Sequence, residues 1–223
     1  MHQRKSKNIL VYLFLLVLVS SIGNISINSL KLNKIQKINI IGLDQKDNQT
    51  LFKKLINLNL ENNFLINKNK IIKVINSNPL IERYEVFIEY PSVINIKIEK
   101  TDFLAKINRN GKIFLIGSNG KLIANKNNYY NLPYIFGKPN IEDFLKFKQI
   151  IDQSKFSYNQ IENLYFFPSK RWDIKLKKNI LLKLPNNLTN KNLDNLFKFL
   201  ENYNINKFTV VDSRIQNQII LNE

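Results

Sequence analysis

The 223-residue sequence predicts an α+β protein with a single N-terminal transmembrane helix, a β-α-α-β-β module, then a β-rich module with two or more helices. Three observations carry this expectation. A continuous apolar run follows a few basic residues at the N-terminus. Strand-like and helix-like hydrophobic periods alternate compactly after it. The second half is dominated by short alternating runs punctuated by Asn-Gly pairs.

Composition narrows the chemistry before any element is placed. There is no cysteine and the one histidine is His2, so thiolate nucleophiles, disulfides, a Ser-His-Asp triad and His-rich metal sites are excluded. Six glycines form no phosphate-binding loop of either common spacing. No enzyme activity, cofactor, metal or small-molecule substrate is expected. The formal charge of +17 points first to nucleic acid. The lysines, however, are scattered among Asn and Ile, and no basic run interleaves with aromatics, so nucleic acid is not the expected partner.

The elements follow in order. Arg4, Lys5 and Lys7 precede the apolar run Ile9 to Val19, which Ser20 to Ile27 extend. Basic residues before the run place the N-terminus in the cytoplasm and the rest outside. The run reads as an anchor over 9–27 or as a cleaved signal, since Ser21 and Gly23 are small. Ile35, Ile38 and Ile40 then alternate as a strand up to Gly42. Leu51, Leu55 and Leu58 take helical spacing with Thr50 as N-cap. A second helix places Ile71, Val74 and Ile75 on one face behind Asn67 and ahead of Pro79. Tyr84, Val86 and Ile88, then Val93, Ile94, Ile96 and Ile98, alternate on either side of Tyr90-Pro91-Ser92 as a hairpin.

In the second module, Asn110-Gly111 and Asn119-Gly120 each sit between apolar runs, as tight hairpins require. Phe144, Phe147, Ile150 and Ile151 share a helical stripe. The runs "IENLYFF", "RWDIKLK" and "ILLKLP" read as strands, the last two joined at Lys178-Asn179. Leu193, Leu196, Phe197 and Leu200 mark another helix, and two strand-like runs close the chain. Arg171-Trp172-Asp173 reads as the start of a half-buried strand with Trp172, Ile174 and Leu176 on the core face and Asp173 and Lys175 opposite. Glu82, Glu85 and Glu89 share one strand, but its alternation splits them between faces instead of gathering them in a cleft, which argues against a paired-carboxylate hydrolase.

In its order of parts the chain resembles the bacterial cell-division proteins of the FtsQ/DivIB family. The first module resembles their POTRA domain in "IQKINIIG", Asn63-Phe64-Leu65, Pro79, Pro91 and Glu99. The second resembles their β-domain in "NGKIFLIGSNGKLI", Arg171-Trp172-Asp173-Ile174 and "VVDSR". Two positions depart from the family pattern: Asp102, where a proline is common, and Gly117, where an acidic residue often stands. The resemblance implies residues 1–8 as a cytoplasmic tail, an uncleaved inner-membrane anchor over 9–27, a linker over 28–34, a POTRA domain over 35–100 and a periplasmic β-domain over 101–223. It implies a non-catalytic scaffold at the division septum that recruits small coiled-coil proteins of the FtsB and FtsL families. Their contact would fall on Val210, Val211, Asp212, Arg214, Ile215 and Asn217, by strand addition at the C-terminal edge of a sheet. The alternative is a POTRA-containing protein of outer-membrane assembly or secretion. That reading calls for tandem POTRA units or a barrel region, for which 223 residues leave no room.

Overall fold

A computed structural model of the chain describes residues 4–22, 35, 37–58, 67–89, 92–125, 131–202, 208–215 and 218–222. Its first element, α1 (Arg4–Ile22), corrects the expected architecture. Among the described residues no helix is long and apolar enough to cross a membrane, so the transmembrane helix expected over 9–27 is not obtained. The reason is length. From Ile9 to the end of α1 the apolar stretch is ~20 Å at ~1.5 Å per residue, against a hydrocarbon core of ~30 Å. The preceding turns are occupied by Arg4, Lys5 and Lys7. Residues 23–27 lie outside the described residues, and the apolar side chains from Ile9 to Val19 are exposed.

The chain divides into two compact units, one built from Met1–Ile41, Gln45–Val74 and Glu85–Lys97, the other from Gly42–Asp44, Ile75–Tyr84 and Ile98–Glu223. The element order around the first unit is β1 (Lys37–Ile41), α2 (Gln45–Ile56), α3 (Lys68–Asn76), β2 (Ile81–Glu89) and β3 (Val93–Lys100). This is the β-α-α-β-β order that the periodicities predict. β3 lies between β1 and β2, and β1 runs parallel to it from Lys37 opposite Val93 to Ile41 opposite Lys97. Leu51, Leu55, Ile71, Ile94 and Ile96 are buried, which is why their periods were legible. Asn67 caps α3, accepting the Lys70 N–H at 3.3 Å. Thr50 is not a cap. α2 starts five residues earlier, and the Thr50 hydroxyl donates back to the Lys46 carbonyl at 2.9 Å. Asn63-Phe64-Leu65 and Tyr90-Pro91 lie outside the described residues.

The second unit carries a nine-stranded mixed sheet. Its strands are β4 (Phe103–Arg109), β5 (Lys112–Gly117), β6 (Leu122–Ala124), β7 (Tyr134–Phe136), β8 (Ile161–Phe166), β9 (Trp172–Leu176), β10 (Leu181–Lys183), β11 (Val210–Asp212) and β12 (Ile220–Asn222), with helices α4 (Ile141–Asp152) and α5 (Asn190–Asn202) between them. They line up as β12-β11-β10-β9-β8-β7-β4-β5-β6, with β4–β7, β7–β8 and β10–β11 parallel. Alternate residues Ile107, Ile135, Leu164, Ile174, Leu182 and Val211 form one core with Phe144, Phe147 and Ile151 of α4 and Leu193 and Leu196 of α5. The helices therefore cover one face of the sheet.

Turn chemistry sets the strand lengths. Asn110 and Gly111 both take positive φ, 53° and 79°, as a two-residue hairpin turn demands. Gly137 closes β7 at φ 99°, and a Cβ there would lie 2.3 Å from the Phe166 carbonyl oxygen. β7 itself was not expected from the sequence. Three residues after Pro133 are too few to show a period.

Candidate functional site

Helix α5 separates β10 from β11, and the crossover it makes brings β11 parallel to β10, Leu181 opposite Val210 and Lys183 opposite Asp212. α5 is started by Thr189, whose hydroxyl accepts the Asn192 N–H while the Asn192 side chain accepts the Thr189 N–H. The chain then returns as β12, antiparallel to β11, and ends the sheet. The residues expected to meet a partner are thus divided. Val210, Val211 and Asp212 form β11, a strand paired on both sides. Val211 is fully buried in the core, while Val210 and Asp212 lie on the face opposite the helices. Arg214 and Ile215 are exposed beyond the strand. Asn217 lies outside the described residues. Among the described strands the edges of the sheet are β12 and β6; at this end it is β12, with Ile220 and Asn222 exposed and Leu221 packed against the core.

The electrostatics centre on Asp212 and Arg214. The Arg214 Nε donates to both Asp212 carboxylate oxygens at 2.9 Å, Nη2 donates to Oδ2 at 2.6 Å, and the Arg214 backbone N–H donates to Oδ1 at 3.1 Å. These side-chain bonds hold the Asp212 carboxyl below the usual carboxylate range, against the opposing effect of burial and with a smaller contribution from Lys183. The same bonds push the Arg214 guanidinium up. Beside the pair lies a cavity of about 660 Å³ lined by Lys191, Asn192, Arg214, Ile215, Gln218 and Ile219 among others. Its described lining carries two cations, Lys191 and Arg214, and no carboxylate.

The charged row continues inward. Lys183 stands opposite both Asp212 on β11 and Asp173 on β9. Asp173, read from alternation as facing away from the core, does so yet is only 2% exposed. It accepts from Arg171 Nε and Nη2 at 3.1 and 3.3 Å and from the Leu184 N–H at 3.2 Å. Arg171 in turn lies over the Phe167 ring at 4.2 Å. Trp172 stacks on Phe147 at 4.6 Å between centroids and meets Phe166 at 4.8 Å. Arg171-Trp172-Asp173 is a packed strand start. Asp173 is buried because β9 is paired on both sides, with β8 and β10, which a single strand's period does not reveal.

The carboxylates on β2 do not converge. Glu82 accepts from the Thr101 and Ser118 hydroxyls, Glu89 accepts from the Asn95 amide, and Glu85 is exposed. Among the described residues no group of three or more His, Asp or Glu side chains is placed to hold a metal ion.

Comparison with known proteins bears on both halves. Residues 103–214 match the family model described as cell division protein FtsQ/DivIB, C-terminal, and residues 33–100 match that of the FtsQ-type POTRA domain. A search of curated proteins returns no match. Among solved structures, the major extracytoplasmic domain of the trans isomer of the cell division protein DivIB from Geobacillus stearothermophilus is similar at 10% identity, covering 46% of this chain and 89% of its own, with a TM-score of 0.34. A superposition that loose carries no weight here. The two family matches adjoin along the chain in the order POTRA then β-domain, and the chain belongs to the FtsQ/DivIB family of cell-division proteins.

Proposed function

We propose that this protein is a non-catalytic scaffold of the division machinery. It works on the exported side of the cytoplasmic membrane at the septum, and it captures small coiled-coil division proteins of the FtsB and FtsL type by strand addition at β12. The observation that carries the reading is the position of β12, a three-residue strand at the end of a nine-stranded sheet, with no strand on its other side among the described residues. An unpaired edge offers a row of N–H and C=O groups, so main-chain bonds supply affinity and neighbouring side chains supply specificity. Here the neighbours are Ile220 on the strand, and Arg214 and Ile215 beside the 660 Å³ cavity. Val211 serves the site from below, holding β11 to the core. The POTRA domain serves localisation to the division site.

The test is a proline placed in turn at Ile220, Leu221 and Asn222 of the full chain, with capture of the coiled-coil partners as the readout. Proline removes one N–H at each position. Where the lost N–H points outward, the fold survives and capture falls roughly two- to tenfold, the loss of one neutral main-chain hydrogen bond of about 0.5–1.5 kcal/mol. Three folded variants that all capture the partners as well as the parent chain does would remove β12 from the site.

A further inference from the structure

A polar network of the second unit lies away from the proposed partner site. It joins the turn between β5 and β6 to the segment that begins β2. The Asn119 side-chain amide donates to two backbone carbonyls, Pro79 at 3.0 Å and Ile81 at 2.9 Å. Its own oxygen accepts the Lys121 N–H at 3.0 Å, which fixes the orientation of the amide. The intervening carbonyl, Leu80, is taken from the other side by the Thr101 N–H at 3.0 Å. Successive carbonyls of an extended chain point to opposite sides. The Ile81 carbonyl, at the start of β2, therefore faces away from Thr101, on the outer side of a strand that is at the edge of its sheet among the described strands.

Glu82 completes the network. Its Oε2 accepts from the Thr101 hydroxyl at 2.9 Å and from the Ser118 hydroxyl at 2.8 Å. Ser118 Oγ also accepts the Asp102 N–H at 3.1 Å, a bond that a proline at 102 would forfeit. Lys121 Nζ reaches the Asn76 carbonyl at 2.8 Å. The turn has no room for a side chain at Gly117, where a Cβ would lie 2.7 Å from Asn119 Oδ1 and 2.8 Å from Thr101 Oγ1.

We propose that the Gly117–Lys121 turn is a conformational staple on residues Pro79 to Glu82: it makes the start of β2 open only together with the β5–β6 turn, and it caps that end of the β2 edge against strand addition. The Asn119 amide, bridging the Pro79 turn and the first carbonyl of the edge strand at Ile81, occupies a group that an incoming strand would use. The two hydroxyls on one carboxylate oxygen tie the side-chain layer to the same turn.

Amide hydrogen exchange of the full chain tests the staple. In Asn119→Ala, exchange at Ile81 and Thr101 should rise about tenfold or more while Leu164, Ile174 and Leu182 keep the parent rates, the signature of a local opening. Unchanged exchange at Ile81 and Thr101 overturns the proposal. So does an equal rise at Leu164, Ile174 and Leu182, because the turn would then contribute only to global stability. Glu82→Gln, Ser118→Ala and their double variant give a second reading. If the staple acts as one unit, the double variant speeds Thr101 exchange by less than the product of the single factors; a simple product overturns it.

Discussion

Trp172 and Asp212 show how unlike two residues of one sheet can be. Trp172 is held among Phe144, Phe147 and Phe166 on the helix-covered face. Truncating it leaves a cavity that α4 cannot fill without moving, and Trp172→Ala should cost about 3–5 kcal/mol, read as a lowered urea midpoint. Asp212 lies on the opposite face, and its effect depends on pH. Its carboxyl is held below the ordinary range by Arg214. A depressed folded-state value means that the pair's contribution is fully present above the unfolded-state value of about 3.9 and disappears as pH falls through the lower, folded-state one. The difference in urea midpoint between the parent chain and Asp212→Asn should therefore be steady from neutral pH to about pH 5 and shrink as pH falls below the unfolded-state value of about 3.9. A gap that does not shrink at all below that value would show that the Asn variant loses something other than the charge.

Among the elements, α5 is the one on which the proposed partner edge depends, because it carries the chain from β10 towards β11. Its first turn is closed by the reciprocal bonds of Thr189 and Asn192. Thr189→Ala should lower stability by about 1 kcal/mol, with the change in melting temperature as the measurement. α4, α5, β8, β9 and β10 were legible in the sequence because each is long enough, or alternates cleanly enough, to show its period. Three things were not. The start of α2 is polar, so its first five residues have no apolar period and Thr50 looked like the boundary. β7 is too short to announce itself. The place of β11 is set by a parallel crossover, and no local pattern tells an inner strand from an edge strand. That is why Val211, expected at a partner contact, is a core residue, and why β12 was not singled out. The anchor was misjudged on length, since the apolar run is sharp but the described helix stops at Ile22.

At the scale of the molecule, topology sets the folding rate. The nine-stranded sheet joins β4 to β7 and β10 to β11 across intervening elements, with Lys106 opposite Tyr134 and Leu181 opposite Val210. Such pairings require long loops to close before they are rewarded. Refolding from urea should take milliseconds to seconds or longer at the speed typical of sheets rich in non-local pairs. Stopped-flow Trp172 fluorescence, reporting on the packing of α4 against β9, is the measurement. Relaxation in microseconds would mean that Trp172 is packed before those strand pairs form.

The two Asn-Gly turns make the molecule an uneven chemical clock. Asparagine followed by glycine loses its side-chain amide over time through a cyclic imide, which needs the amide carbon to swing onto the next backbone nitrogen. Asn110 is exposed at the tip of its hairpin, whereas the Asn119 amide is held by Pro79, Ile81 and Lys121. Ageing in mild alkali should therefore mark position 110 first, adding one negative charge at a surface turn. The segment clasped by Asn119 should outlast it for as long as the fold is intact.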